Sequence, residues 1–296
     1  MWSGVVKMEE KNIERDIRDF LYFAEFGENK SSNTVKSMRK DLLQLAQYLK
    51  DIEKIERSME IDSVMLRGFI GYLQEQGITK RTINRKLSSM RSFFKYLVKN
   101  RVINQSPVEV IASPSFYVEK PDILTLDEIN RLRSVISLKN ANGLRDRLIL
   151  ELLYSSGITS TEMLGTGERV FDLDKRELYV SNGKSSRVVF FSERTREFFK
   201  KYVESKKSKY KDRYDSDILF VNGSATRLSD RSLRRIIDRY AQKAGIEREI
   251  SPYSFRHTFA VHMLSHGMDI LYLKELMGHA TLESTKVYQD LVKVRI

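Results

Sequence analysis

The chain has 296 residues, 41% of them hydrophobic, enough for two ordinary domains with buried cores. Lysine and arginine number 52 against 40 acidic residues, for a net charge of +12 and a pI near 9.6, so a polyanion, nucleic acid above all, suits it better than an acidic small molecule. Cysteine is absent, which excludes disulfides, thiolate metal sites and cysteine nucleophiles, and the four histidines lack the carboxylate company of a metal site.

Residues 10 to 110 read as helices with almost no glycine or proline. No apolar run approaches the ~20 residues of a membrane span, and the start MWSGVVKMEEKN has no signal-peptide core, so a cytoplasmic protein is expected. Thr82 to Lys99 places Ile83, Leu87, Met90, Phe94 and Leu97 at steps of four, three, four and three, one apolar helix face. Lys80 to Arg101 holds eight basic residues and no acid. Lys80, Arg81, Arg85, Arg91, Lys95 and Lys99 are therefore expected to meet a DNA backbone. The bland alternative is a solvated basic helix, but so one-sided a run would repel itself without a counter-charge.

After a break at Ser106-Pro107, ASPSFYVEKPDILT reads as an extended connector marked by Pro114 and Pro121. The expected parse is a helical domain over 1–111, a linker over 112–123 and a second domain over 124–296. The second domain mixes helices and strands. It opens on Thr125-Leu126-Asp127-Glu128, a capping-box pattern ahead of a helix. Further on, Glu177 to Ser181 and Arg187 to Phe191 are strand-like runs around Asn182-Gly183-Lys184, a hairpin signal.

The last part of the chain carries SPYSFRHTFAVHML and LMGHATLESTKVYQ, which put Arg256, His279 and Tyr288 in order with spacings of 23 and 9. These residues and their surroundings, Arg256-His257-Thr258-Phe259-Ala260 and Leu276-Met277-Gly278-His279, resemble the tyrosine recombinases, the phage integrase and Xer group. SSNTVKSMRKDLLQLAQYL and TKRTINRKLSSMRSFFKYL also look like the two helical signatures of that family's core-binding domain, so the likeness covers nearly the whole chain. The fold it implies is mainly α with a small β-sheet in the C-terminal domain. That is the two-domain tyrosine-recombinase architecture, a helical core-binding domain and a mixed α/β catalytic domain closing around double-stranded DNA like a clamp.

The resemblance assigns chemistry to particular residues. Cutting a strand without losing the bond energy needs a nucleophile that stays on the phosphate, and the phenol of Tyr288 would serve. The Arg256 fork would meet two non-bridging oxygens as charge builds on them. His279 would donate to the same phosphate or help Tyr288 lose its proton. Lys184 matches the family's hairpin lysine, which protonates the leaving 5′ oxygen; taken alone, a lysine in a turn is ordinarily solvated. Likewise Tyr288 is one of 14 tyrosines, and on a helix with Leu282, Thr285, Val287 and Leu291 it could simply pack; its joint spacing with Arg256 and His279 is what reverses that reading. His257 and His262 read as structural.

Two positions depart from the family. In LLYSSGITSTEMLG, Thr159 stands where the first catalytic arginine should be, offering one neutral donor in place of five donors and a fixed charge. Thr159 could instead cap the next helix with Glu162. Arg145, Arg147 and Arg169 lie nearby in sequence, none at the right spacing. Tyr253 stands at the usual histidine, a milder departure because a phenol still donates a hydrogen bond. The eight residues after Tyr288 also leave little room for the further helix with which relatives dock on a neighbouring subunit, though Leu291, Val292, Val294 and Ile296 could form a short docking tail.

The expectation is a site-specific DNA recombinase homologue needing no metal, nucleotide or other small-molecule cofactor and no membrane. It would work as a homo- or hetero-tetramer on paired sites, with activity impaired by the missing arginine or dependent on a partner. The alternative is a non-catalytic DNA-binding relative that partners an active recombinase. A nicking enzyme of the topoisomerase IB type ranks last, because it leaves the helical domain unexplained.

Overall fold

Polar side chains at the helix starts accept the first free backbone N–H groups and set where each helix begins. In the N-terminal unit Asn12, Ser31, Asp62 and Thr79 do this for α1 (Ile13–Tyr22), α2 (Ser32–Tyr48), α3 (Ser63–Glu75) and α4 (Lys80–Lys99). The computed structural model describes residues 12–116, 121–181 and 185–293. The chain divides into two compact units, Met1–Val118 and Glu119–Ile296.

The apolar face read from α4 is real: Ile83, Leu87, Met90, Phe94 and Leu97 are all fully buried, and they join Phe20, Leu42, Leu45 and Phe69 in one core. The six basic residues named for DNA are exposed. Their run does have a counter-charge, and it lies inside. Asp41 of α2 is buried; its Oδ1 accepts from Lys86 Nζ at 3.1 Å, and its Oδ2 accepts from Ser89 Oγ at 2.9 Å and from Arg85 Nη1. Arg91 donates to Ile111 O and Ser113 Oγ, both at 3.0 Å, and Lys99 lies over the Phe23 ring. Lys80, Arg81 and Lys95 make no such bond among the described residues, so they are the cations of this helix most available to a partner.

Removing Asp41 would leave Lys86, itself buried, with Gln44 Oε1 at 2.6 Å as its one remaining hydrogen-bond partner among the described residues. Asp41→Ala is therefore expected to destabilise the helical unit by about 3 kcal/mol, the usual scale for stripping one partner from a buried pair. Urea unfolding of the full chain checks this.

In the second unit the capping box at Thr125 and Glu128 starts α5 (Leu126–Ser134) as its sequence indicates. It is followed by α6 (Ala141–Ser156) and α7 (Ser160–Gly165). Strands β1 (Phe171–Asp172), β2 (Glu177–Ser181) and β3 (Ser186–Phe190) form an antiparallel sheet in that order. The hairpin expectation holds for its strands; Lys184 and the rest of the tip lie outside the described residues. The unit ends with α8 (Glu193–Tyr210), α9 (Asp230–Lys243), α10 (Pro252–Ser265), α11 (Ile270–Met277) and α12 (Glu283–Lys293). Helix α6 is buried on nearly every side and is the spine of the core, with α8 and α10 packed against it. No helix among the described residues is long and apolar enough to cross a membrane.

Candidate active site

Helix α10 carries Arg256 inward. Its N-terminus is fixed by Pro252 at the first helical position and by the Ser251 backbone N–H donating to Ser254 Oγ at 3.1 Å. One turn along, Thr258 Oγ1 donates to Ser254 O at 2.6 Å and accepts the Leu124 backbone N–H at 2.8 Å, pinning the segment that leads into α5.

Arg256 is buried, and two backbone carbonyls hold it: Nη1 donates to Gly157 O at 2.6 Å and Nη2 to Met277 O at 2.5 Å. Gly157 ends α6 in the left-handed region, at φ 63°, where a Cβ would overlap the Phe259 ring. Glycine is thus favoured both by the turn and by the close approach of Phe259, and the turn it makes aims its carbonyl at the arginine.

Tyr288 lies on α12 and is only 3% exposed, its ring set among Phe259, Leu273 and Met277. The packing that a helix reading allowed for this residue is therefore present. Its Oη is 2.8 Å from His257 Nδ1. Read from sequence as structural, His257 is thus the side chain on the hydroxyl. His279 stacks on the Tyr288 ring at 6.3 Å between centroids, and its Nδ1 is 2.8 Å from Thr285 Oγ1. Tyr253 is 49% exposed and flanks His257, ring to ring, at 6.2 Å.

Thr159 caps α7 in a full capping box with Glu162: the Glu162 N–H donates to Thr159 Oγ1 at 3.2 Å, and Glu162 Oε2 accepts the Thr159 N–H at 2.8 Å. Glu162 also pairs with both terminal nitrogens of Arg187 on β3, Nη2 at 3.1 Å. The sequence marks Arg187 only as the start of a strand-like run, not as a site residue. Its one local signal is register: it faces Val180, a buried position of β2, so a charged residue stands where the strand pattern asks for an apolar one. The arginines noted near Thr159 in sequence are placed elsewhere. Arg145 bonds Asp146 and Val221 O, Arg147 bonds Glu151 and Arg133 O, and Arg169 is exposed ahead of β1.

The electrostatics follow from burial among cations. Burial, then the charges of Arg256 and Arg187, push the His279 imidazole down to about 4. Burial and then Arg256 lower His257, so both imidazoles are neutral at pH 7. Burial raises the Tyr288 phenol, and Arg256 pulls it back in part. For Glu162 burial works toward the neutral acid, but the bonds from Arg187 and Thr159 outweigh it and the carboxyl lies below its ordinary range. The result is a largely buried cluster of two guanidiniums, two neutral imidazoles, one carboxylate and a phenol.

A helical unit followed by a mixed unit that gathers Arg256 from α10, His279 from the turn after α11 and Tyr288 from α12 is the make-up of an integrase-type catalytic protein. Residues 122–294 match the family described as Phage integrase family, and residues 17–101 match Phage integrase, N-terminal SAM-like domain. The chain belongs to the phage integrase family of tyrosine recombinases. Tyrosine recombinase XerC of Thermodesulfovibrio yellowstonii is 35% identical over 282 residues, covering 94% of this chain and 92% of that protein. Tyrosine recombinase XerD of Oceanobacillus iheyensis is 32% identical over 288 residues, covering 96% of each.

Solved structures agree in fold. The XerH site-specific recombinase bound to palindromic difH substrate, a post-cleavage complex, is similar with a TM-score of 0.75 at 20% identity, covering 94% of this chain and 81% of that one. The Tn1549 transposon integrase in complex with circular intermediate DNA gives 0.73 at 19% identity, covering 94% and 95%.

Proposed function

We propose that this protein is a catalytically competent site-specific recombinase that cuts and rejoins DNA through a 3′-phosphotyrosyl bond at Tyr288. The observation that carries the reading is the Tyr288 hydroxyl held on a neutral imidazole, 2.8 Å from His257 Nδ1, in the same cluster as Arg256 and His279.

The Tyr288 oxygen attacks the scissile phosphorus, the Oη–P bond forms, the P–O5′ bond breaks, and the phenolic proton passes to His257 Nδ1. Arg256 keeps its charge when buried and meets the phosphate with the donors that Gly157 O and Met277 O leave over. With Nδ1 on Thr285, His279 presents Nε2 to the phosphate. Lys184 takes the family's part of proton donor to the 5′ oxygen. Tyr288 is hidden at 3% exposure, so α12 shifts when DNA seats. The helical unit supplies backbone contacts from Lys80, Arg81 and Lys95, with Arg85, Arg91 and Lys99 as more committed neighbours. Assembly is as a tetramer on paired sites in the cytoplasm.

A second reading, the non-catalytic partner of an active recombinase, draws on Thr159, which is a helix cap and brings no charge. Trapping separates the two. A nicked suicide duplex carrying a site selected from random DNA is expected to become covalently attached, with the modified peptide containing Tyr288. Site-specific binding without attachment would favour the partner role.

A further inference from the structure

We propose that Arg187 is the second phosphate-contacting guanidinium of this site, supplying from β3 the charge that Thr159 does not bring. The proposal rests on Tyr288 being the nucleophile. Its geometry begins at the C-terminal end of α11, where backbone carbonyls lack helical partners and carry the negative end of the helix dipole. Arg187 Nε donates to Leu276 O at 2.6 Å, and Arg256 Nη2 donates to the next carbonyl, Met277 O, at 2.5 Å. Two arginines from distant parts of the chain are thus anchored on consecutive carbonyls, two and three residues before His279. Gly278 makes the room: it sits at φ 66°, and a Cβ there would stand 2.9 Å from Arg187 Nη1.

The same guanidinium reaches the neighbourhood of position 159 through a single carboxylate. Glu162 binds Nη1 and Nη2 of Arg187, and its Oε2 also accepts from Thr159 Oγ1 at 2.9 Å. Arg187 therefore lies beside the place left without charge and cannot swing away while Glu162 is ionised. Three of its five N–H groups are used, and among the described residues one on each terminal nitrogen has no partner. Its side chain is 14% exposed, so the guanidinium pair is not wholly sealed in the core.

Charge counting gives the functional weight. Arg256 and Glu162 alone sum to zero, and both site imidazoles are neutral at pH 7. Arg187 gives the cluster a net charge of +1, opposite to the single negative charge of a phosphodiester. Without it, Arg256 and Glu162 would cancel among the described residues, and charge building on the phosphate in the transition state would be offset only by the lysine that the proposed mechanism brings from the hairpin.

The test compares attachment rates on two suicide duplexes, one with the natural scissile phosphodiester and one with a methylphosphonate there, which carries no charge. Arg187→Gln is expected to attach to the phosphodiester about 10²- to 10³-fold more slowly than the unaltered chain, the scale of losing one preorganised donor, and to come within about threefold of it on the methylphosphonate. Arg187→Lys keeps an ion pair for Glu162 and so guards against a folding failure; it is expected to lie between these rates on the phosphodiester. Equal deficits on both duplexes for both variants would make Arg187 a brace for Glu162 and overturn the proposal, as would an undiminished rate on the phosphodiester. Attachment by the unaltered chain to neither duplex would overturn the Tyr288 reading and this one together.

Discussion

Tyr288→Phe is expected to bind its DNA site and fold normally yet form no covalent adduct, a fall of at least about 10⁴ in attachment rate, because no second group can stand in for a lost nucleophile. The substitution separates the two roles of this residue. Phenylalanine keeps the ring among Phe259, Leu273 and Met277, so the apolar cluster between α10, α11 and α12 survives. What it loses is the hydroxyl on His257 Nδ1, a bond worth about 1 kcal/mol. A labelled-duplex gel reads the adduct, and a melting curve reads the fold. A variant that melts within a few degrees of the unaltered chain while its adduct band disappears fits the assignment; a persistent band would move the nucleophile to another residue.

The features legible in the sequence were those set by local spacing. The α4 face follows from a period near 3.6. The capping boxes at Thr125 and Thr159 each need only a residue and its third neighbour, and β2 and β3 follow from alternation around a turn signal. The order of Arg256, His279 and Tyr288 was legible because a family pattern preserves it. What escaped lies in pairings between distant positions. Arg187 meets Glu162 across 25 residues and Leu276 across 89, and nothing local marks a strand arginine as belonging to a helix end. His257 reads as structural in the sequence because its partner hydroxyl lies 31 residues further on. The basic run on α4 looked uncompensated because Asp41, which takes Arg85 and Lys86, is 44 and 45 residues away.

His257→Ala carries the next largest expected effect, a loss of about 10² to 10⁴ in attachment rate, the range for removing a positioned general base. The argument turns on which imidazole can take the proton. Burial raises the Tyr288 phenol, so at neutral pH the hydroxyl enters the reaction protonated. His279 stacks on the ring, but its Nδ1 is committed to Thr285, whereas His257 Nδ1 faces Oη directly. Burial and Arg256 lower the His257 imidazole while Asp122 opposes them in part, which keeps it neutral and able to accept. The sign of the pH dependence follows: a base with a lowered value is competent above that value, so attachment should hold steady through neutral pH and fall as the solution becomes acid enough to protonate His257. Placing at position 288 a fluorinated tyrosine whose phenol ionises near neutral pH removes the need for a base, and should restore most of the rate lost in His257→Ala. A packing role predicts the opposite, since easier ionisation of the phenol would not repair a displaced helix.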